Sequence, residues 1–510
     1  MGNALAKDFE KLKKKEVVDL RKRALTELPT TIGLLRCKEL ILAENDVVTI
    51  PDEIGKLPNL EILDFSNNRI NSIPPEIGDL KLLRELIIHN NKLFFSPLTP
   101  DLGRLSALNK LDLSHNQIEE LPVEIGNLEN LETFILSHNA IKFLPPELGK
   151  MRRLNTLMLN NNNIKVFPAE LCRATGLRVL DLSNNQLTKL PAEIGALKAL
   201  TTITLSYNKL SELPFEFGGL TGLITLDLRD NPGLQQLPPL EGMKNLTALN
   251  LRNLQIPQIP ADIHKLPALT ELDLRENSQL KEIRREIGQL QGLKRLDLFG
   301  CKLKQLPGEL GNLSNLNILD LRSNLLTTES IPREIGRLTN LKKLFLSDNA
   351  LSTLPPEIKT LTSLQELDVN NNSITTLPEE IGNLRSLNKL ALSGNKLTTM
   401  PGSIGNLTLL TNLDLKTNEI STLPADMGKL EACTRIDLSH NMLTELPWEM
   451  GKLDKNLSNL DVSHNPLVIP PRPIVAKGAQ EMIKWLAKNE KEGRKGKVSG
   501  LGIQQDPGAK

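Results

Sequence analysis

The sequence predicts an α/β solenoid, a horseshoe of about 20 repeats whose concave face is a sheet of parallel strands. Three observations lead there. LDLSHN at 111–116 returns as FILSHN at 134–139, so Asn116 and Asn139 stand 23 residues apart. Traced along the chain, that position recurs 20 times between Arg23 and Asn465, and 17 of the 20 residues are asparagine. Of the 19 intervals, 14 are 23 residues long, and a fixed period in this range marks stacked structural units.

Each part of the unit has a physical reason. In NLEILDFSNN (59–68) the apolar residues alternate, as in a strand with one buried face, placing Leu63 and Phe65 inward and Ile62, Asp64 and Ser66 outward. Asn68 follows where the chain leaves the strand. There its amide can satisfy backbone groups of neighbouring turns that burial would leave unpaired. IPPEIG and LPVEIG then put proline and glutamate at the start of a short helix or 3₁₀ turn, where a missing N–H is harmless and negative charge is favoured. Glycines such as Gly78 and Gly126 end that turn, and LxxL leads into the next strand. One unit cannot bury its leucines alone, so neighbours share a continuous core.

The repeats are expected over 17–470, preceded by an N-terminal basic segment over 1–16. A capping helix is expected over 471–488, with Ile474, Met482, Ile483, Trp485 and Leu486 forming an apolar stripe that covers the last open turn. A partner-binding amphipathic helix is the other reading of that stripe. Residues 489–510 are charged and glycine-rich, and predict a disordered tail.

Composition narrows the function. Lys and Arg number 62 against 61 Asp and Glu, so bulk attraction to nucleic acid is not indicated. Aromatics are 3% of the chain, too few for a base-stacking surface. No apolar run is long enough for a secretory signal or a membrane span. Cys37, Cys172, Cys301 and Cys433 form no CxxC pair and each falls in a slot of the repeat, so core packing in a reducing compartment is expected rather than disulfides or metal. These features argue against an extracellular receptor.

The LxLxxN strand with its LPxEIGxLxxL turn resembles the leucine-rich repeat family, in the intracellular Ras-group form typified by Ras suppressor and Shoc-type scaffold proteins. The resemblance covers roughly 17–487, and LSHNMLTELPWEMG with the tail NEKEGRKGKVSGLGIQQD is similar to a social-amoeba member. It implies an adaptor in Ras-linked or cytoskeletal signalling.

No P-loop, GxSxG, HExxH or zinc spacing is present, and the evenly spaced carboxylates are repeat positions rather than an acid/base pair. His89, His115, His138, His440 and His464 lie next to landmark asparagines, while His264 lies elsewhere in its unit. His115 and His138 neighbour each other across adjacent turns, with no third ligand, so a solvated pair is expected rather than a metal site. No cofactor and no catalytic activity are expected.

A partner is expected on the outward strand positions. Two residues before the landmark the default is serine, as at Ser137 and Ser183, but five consecutive units read Arg229, Arg252, Arg275, Phe299 and Arg322. The column beside them reads Asp227, Asn250, Asp273, Asp297 and Asp320. One reading is a solvated, self-neutralising ion-pair ladder. The other is a site that steers an acidic partner through the arginines and makes desolvated contact through Phe299. At the N-terminus, MGNALA places Gly2 for myristoylation, with Ala6 where serine or threonine is usual, and Lys7, Lys11, Lys13, Lys14 and Lys15 supply a second membrane signal. A solvated helix is the alternative there.

The expected function is therefore a non-enzymatic scaffold that binds proteins on its concave face, in the cytoplasm or at the cytosolic face of the plasma membrane. A small GTPase, a phosphatase or a cytoskeletal regulator are the candidate partners, and a regulatory subunit of an enzyme is the rival reading.

Overall fold

The computed structural model describes residues 12–94, 98–260 and 262–493. It divides into two compact units, one running to Ile256 with Lys265–Leu269 added, the other comprising Pro257–His264 and the chain from Thr270 onward. Among the described residues the first unit holds eleven three-residue strands, from Val17–Asp19 to Ala248–Asn250. The second holds nine, from Glu271–Asp273 to Asn459–Asp461. Within each unit neighbouring strands are parallel and paired without slippage: Leu40 faces Leu63, Leu63 faces Leu86, and Leu296 faces Leu319. The middle residue of every strand is buried, and the flanking pair faces the concave side. Leu63 and Phe65 are inward, as the alternation predicts; Ser66, expected outward, is 5% exposed because its short side chain sinks between its neighbours.

After each strand the chain enters the left-handed region, once in most turns and twice in others, as where Lys22 is followed by Ala24 and Asn253 by Gln255. The residue before the landmark has φ near +55° at Asn67, His115, Tyr207 and His440, and glycine takes the position at Gly300 and Gly394. Asn, Asp, His and Gly tolerate this conformation better than other residues, which explains why they recur there. His115 and His138 accordingly stack with ring centroids 4.1 Å apart, as do His440 and His464.

The landmark asparagines then close the backbone. Asn185 accepts from the Ile164 N–H at 2.9 Å and donates to the carbonyls of Leu159, Leu182 and Ser183 at 2.9, 3.1 and 3.2 Å. Where cysteine replaces asparagine, the Cys301 thiol donates to the Leu274 carbonyl at 3.1 Å. All four cysteines are buried, and burial pushes the Cys301 and Cys433 thiols up to about 12, so neither supplies a thiolate at neutral pH.

Most connections on the other side are five-residue 3₁₀ helices such as Val123–Asn127. Pro122 precedes that helix with φ −67°, and its carbonyl accepts from the Ile125 N–H at 3.1 Å. Glycine in these turns is not a breaker. A Cβ built on Gly126 would lie 2.5 Å from the Glu147 carbonyl oxygen of the next turn. At Gly126 the turns touch backbone to backbone, so stacking distance favours glycine there, although Cys172 and Lys359 hold the same slot in two other turns. Gly126→Ala should therefore cost about 1–3 kcal/mol by forcing the turns apart. A thermal melt checks this, and an unshifted melt would show that the turns yield freely.

At the C-terminus the single helix expected over 471–488 is two: α1 (Arg472–Val475) and α2 (Ala479–Gly493), separated at Gly478 with φ +92°. Helix α2 runs beyond 488 because no breaker intervenes before Gly493, and the Asn489 side chain donates to the Trp485 carbonyl at 2.8 Å. Met482, Ile483 and Leu486 are buried, and Trp485 stacks on Trp448 at 5.6 Å between ring centroids. Gly451 lies so close beneath α2 that a Cβ there would be 2.4 Å from the Ala487 nitrogen.

Candidate protein-interaction face

The residues expected to bind a partner fall in both units: Asp227, Arg229 and Arg252 in the first, and Asp273, Arg275, Asp297, Phe299, Asp320 and Arg322 in the second. Arg229, Arg275 and Arg322 each lie two residues after an aspartate that ends a strand, and Arg252 two after Asn250, so in extended chain both side chains emerge on the same face. That spacing decides their geometry. Arg275 Nε donates to both carboxylate oxygens of Asp273 at 3.0 Å, and Arg322 Nε to those of Asp320 at 2.9 and 3.1 Å. Arg229 Nε is 3.4 Å from Asp227 Oδ2, while the Arg252 backbone N–H donates to Asn250 Oδ1 at 3.1 Å.

Asp297 is 2% exposed and is shared by Arg295 at 3.1 Å and Arg275 at 3.5 Å. Burial, with Asp320 and Asp273 adding to it, raises its carboxyl above the ordinary range, and Arg275 opposes the rise. Arg275 and Arg322 are thus already engaged by the chain's own carboxylates. With Asp297 and Asp320 each 2% exposed, this part of the ladder is buried rather than solvated.

The aromatic contribution is larger than the sequence suggests. The Arg322 guanidinium lies 5.7 Å from the Phe299 ring centroid and 5.0 Å from that of Phe345, so the cation is flanked by two half-buried rings. Arg229 similarly lies 5.6 Å from the Tyr207 ring. Phe345 and Tyr207 were not among the expected residues. The signal for Phe345 was available: it interrupts a column that is otherwise mostly aspartate. Fixed by Asp320 below and two rings beside it, Arg322 makes a rigid, partly apolar platform on a sheet.

Among the described residues no group of three or more His, Cys, Asp or Glu is placed to hold a metal ion. His138 Nε2 faces Asn161 Nδ2 at 3.2 Å, and burial lowers the affinity of His115 for a proton. No described helix is long and apolar enough to cross a membrane. Gly2, Lys7 and Lys11 lie outside the described residues; Lys13, Lys14 and Lys15 are described.

Comparison with known proteins agrees with this geometry. The family described as leucine-rich repeat region matches residues 96–172, 167–250, 265–371 and 318–419, and a second leucine-rich repeat description matches 36–93. The chain is a leucine-rich repeat protein. It is 53% identical over 102 residues to the leucine-rich repeat protein lrrA of Dictyostelium discoideum, a stretch that spans only 20% of either chain. It is also similar to the solved structure of a leucine-rich repeat protein of Leptospira interrogans, at 35% identity, with a TM-score of 0.59 and coverage of 82% of this chain and 93% of that one. A plant peptide hormone receptor, RGFR1, solved in complex with RGF2, is 28% identical with a TM-score of 0.56, covering 89% of this chain and 87% of the receptor. Proteins of this repeat family generally act as protein-binding scaffolds.

Proposed function

We propose that this leucine-rich repeat protein is a non-enzymatic adaptor in Ras-linked or cytoskeletal signalling, working in the cytoplasm or at the cytosolic membrane face, and that it holds a partner protein on its concave strands. The observation that carries the reading is the Phe299–Arg322–Phe345 platform: two aromatic rings, half-buried on a surface of short polar side chains, with their cation already neutralised. Aromatic and arginine side chains on a rigid surface are the groups that dominate binding energy at protein interfaces. The plant receptor's complex is a precedent for a neighbouring fold that holds a ligand. Membrane attachment through Gly2 and the N-terminal lysines belongs to the same reading, and mass spectrometry of the mature N-terminus tests it: an intact Met1 or an unmodified Gly2 removes it.

Affinity capture from cells tests the binding surface. Phe299→Ala with Phe345→Ala should lose at least one protein that the unaltered chain retains. Arg229→Ser with Arg252→Ser, which restores the default residue of the column, should change capture less. Equal capture by all three proteins would remove the aromatic platform as the site.

A further inference from the structure

In the second unit, seven of the nine residues at the central outward position are aspartate; Phe345 and Ala391 are the others. Four of the seven have an arginine within ion-pair distance: Asp273, Asp297, Asp320 and Asp437. Of the other three, Asp461 lies on the last strand; Asp368 and Asp414, like it, have no ion pair among the described residues. Each accepts only a backbone N–H two residues on, from Asn370 and Lys416 respectively, both at 3.1 Å. Of the nearby cations, Arg322 is held by Asp320, Lys389 and Lys343 converge on Glu366 at 2.6 and 3.2 Å, Arg435 lies 3.7 Å from Asp437, and Lys416 has no ion pair among the described residues.

The register places these groups together. Phe345 pairs with Asp368, Asp368 with Ala391, and Ala391 with Asp414, on four successive strands. Ala391 therefore stands between two carboxylates that are two strand spacings apart, roughly 9–10 Å. Ala391 is 4% exposed, so the side chains around it close over its methyl group, and its short side chain leaves only a shallow notch between the two carboxylates. On one side the notch is bounded by the half-buried Phe345 ring, beyond which Arg322 is held by Asp320. A long side chain with a positive end fits a small floor, two unpaired carboxylates and an apolar wall.

We propose that the concave face of the second unit receives a basic segment of a partner protein, one lysine or arginine side chain lying over Ala391 between Asp368 and Asp414 and an apolar neighbour packing on Phe345. This rests on the reading of the concave face as the binding surface, and it reverses the partner charge expected from the arginines alone. Arg229, Arg275 and Arg322 are paired with aspartates in place, whereas these two carboxylates have no ion pair among the described residues. Burial raises both above the ordinary carboxylate range, so an incoming cation relieves a charge that the fold holds at a disadvantage. Charge complementarity of this kind selects and orients a partner.

The probe is a fluorescein-labelled decapeptide alternating lysine and leucine, with a glutamate–leucine counterpart, measured by fluorescence anisotropy at low salt. The lysine peptide is expected to bind at least about tenfold more tightly. Asp368→Asn with Asp414→Asn keeps a side-chain oxygen to accept from the Asn370 and Lys416 N–H groups, should melt no lower than the unaltered protein at pH 7, and should weaken the lysine peptide about tenfold. Ala391→Arg should weaken it similarly by filling the notch with the chain's own cation. Asp112→Asn with Asp181→Asn, at the same position in the first unit, should have no effect. Preference for the glutamate peptide, or lysine-peptide binding indifferent to both the asparagine pair and Ala391→Arg, overturns the proposal. In that event, loss of binding in Phe345→Ala alone would leave the concave face as the binding surface, and indifference of every concave variant would remove that as well.

Discussion

Replacing Ile483 by aspartate should loosen the C-terminal end of the second unit and leave the first unit unaffected. Ile483 is fully buried in α2, between Met482 and Leu486, against the last turn of the repeats. The substitution removes a core side chain and buries a carboxylate without a partner, a combined cost on the order of 3–5 kcal/mol. In a stack where each unit touches only its neighbours, the loss should propagate inward from the exposed end rather than act uniformly. Gln480, which donates to the Leu457 carbonyl at 2.8 Å, and the Trp448–Trp485 stack should fail with it. Hydrogen exchange should rise first in 446–470 and 479–491, with the strands of the first unit unchanged. Exchange that rises everywhere, or nowhere, would mean that α2 is not a cap.

Asn185→Ala has the second largest expected effect, at least about 2 kcal/mol, because it strips partners from several buried backbone groups at once. The Ile164 N–H and the Leu159 carbonyl lie in the preceding unit, so the loss breaks the link between units and not merely a local bend. Asn185→Cys is expected to cost less. Cys301 shows why: a thiol in this slot keeps a donor to the carbonyl that the amide would have reached, at 3.1 Å to Leu274. Melts of the two variants should fall in that order, and equal melts would contradict the part assigned to the amide nitrogen.

Period and alternation made the repeats legible, because a parallel strand with one buried face needs the same residue types at every turn. Asn68 and Asn185 could be assigned their backbone role from position, since the short asparagine amide offers two donors and an acceptor at the strand exit. The glycine at 126 was legible as a landmark but not in its cause, which is a 2.5 Å approach from a residue 21 positions on. The histidines were visible beside the landmarks, yet their left-handed backbone depends on the whole column and not on the histidines themselves. At the candidate site, both readings of the arginine block could be written down from sequence. The pairing of Arg275 and Arg322 with Asp273 and Asp320, and the place of Phe345 beside Arg322, depend on side-chain geometry that the sequence does not carry.

Photocrosslinking tests the concave face as the binding surface most directly. Benzoylphenylalanine would be placed at position 345, on the platform, and in a second protein at position 123, where Val123 is 52% exposed at the start of a 3₁₀ turn. Irradiation in cells should join a distinct protein to position 345 and none to position 123. Adducts at position 123 with none at position 345 would place the partner on the other side of the repeats and contradict the assignment.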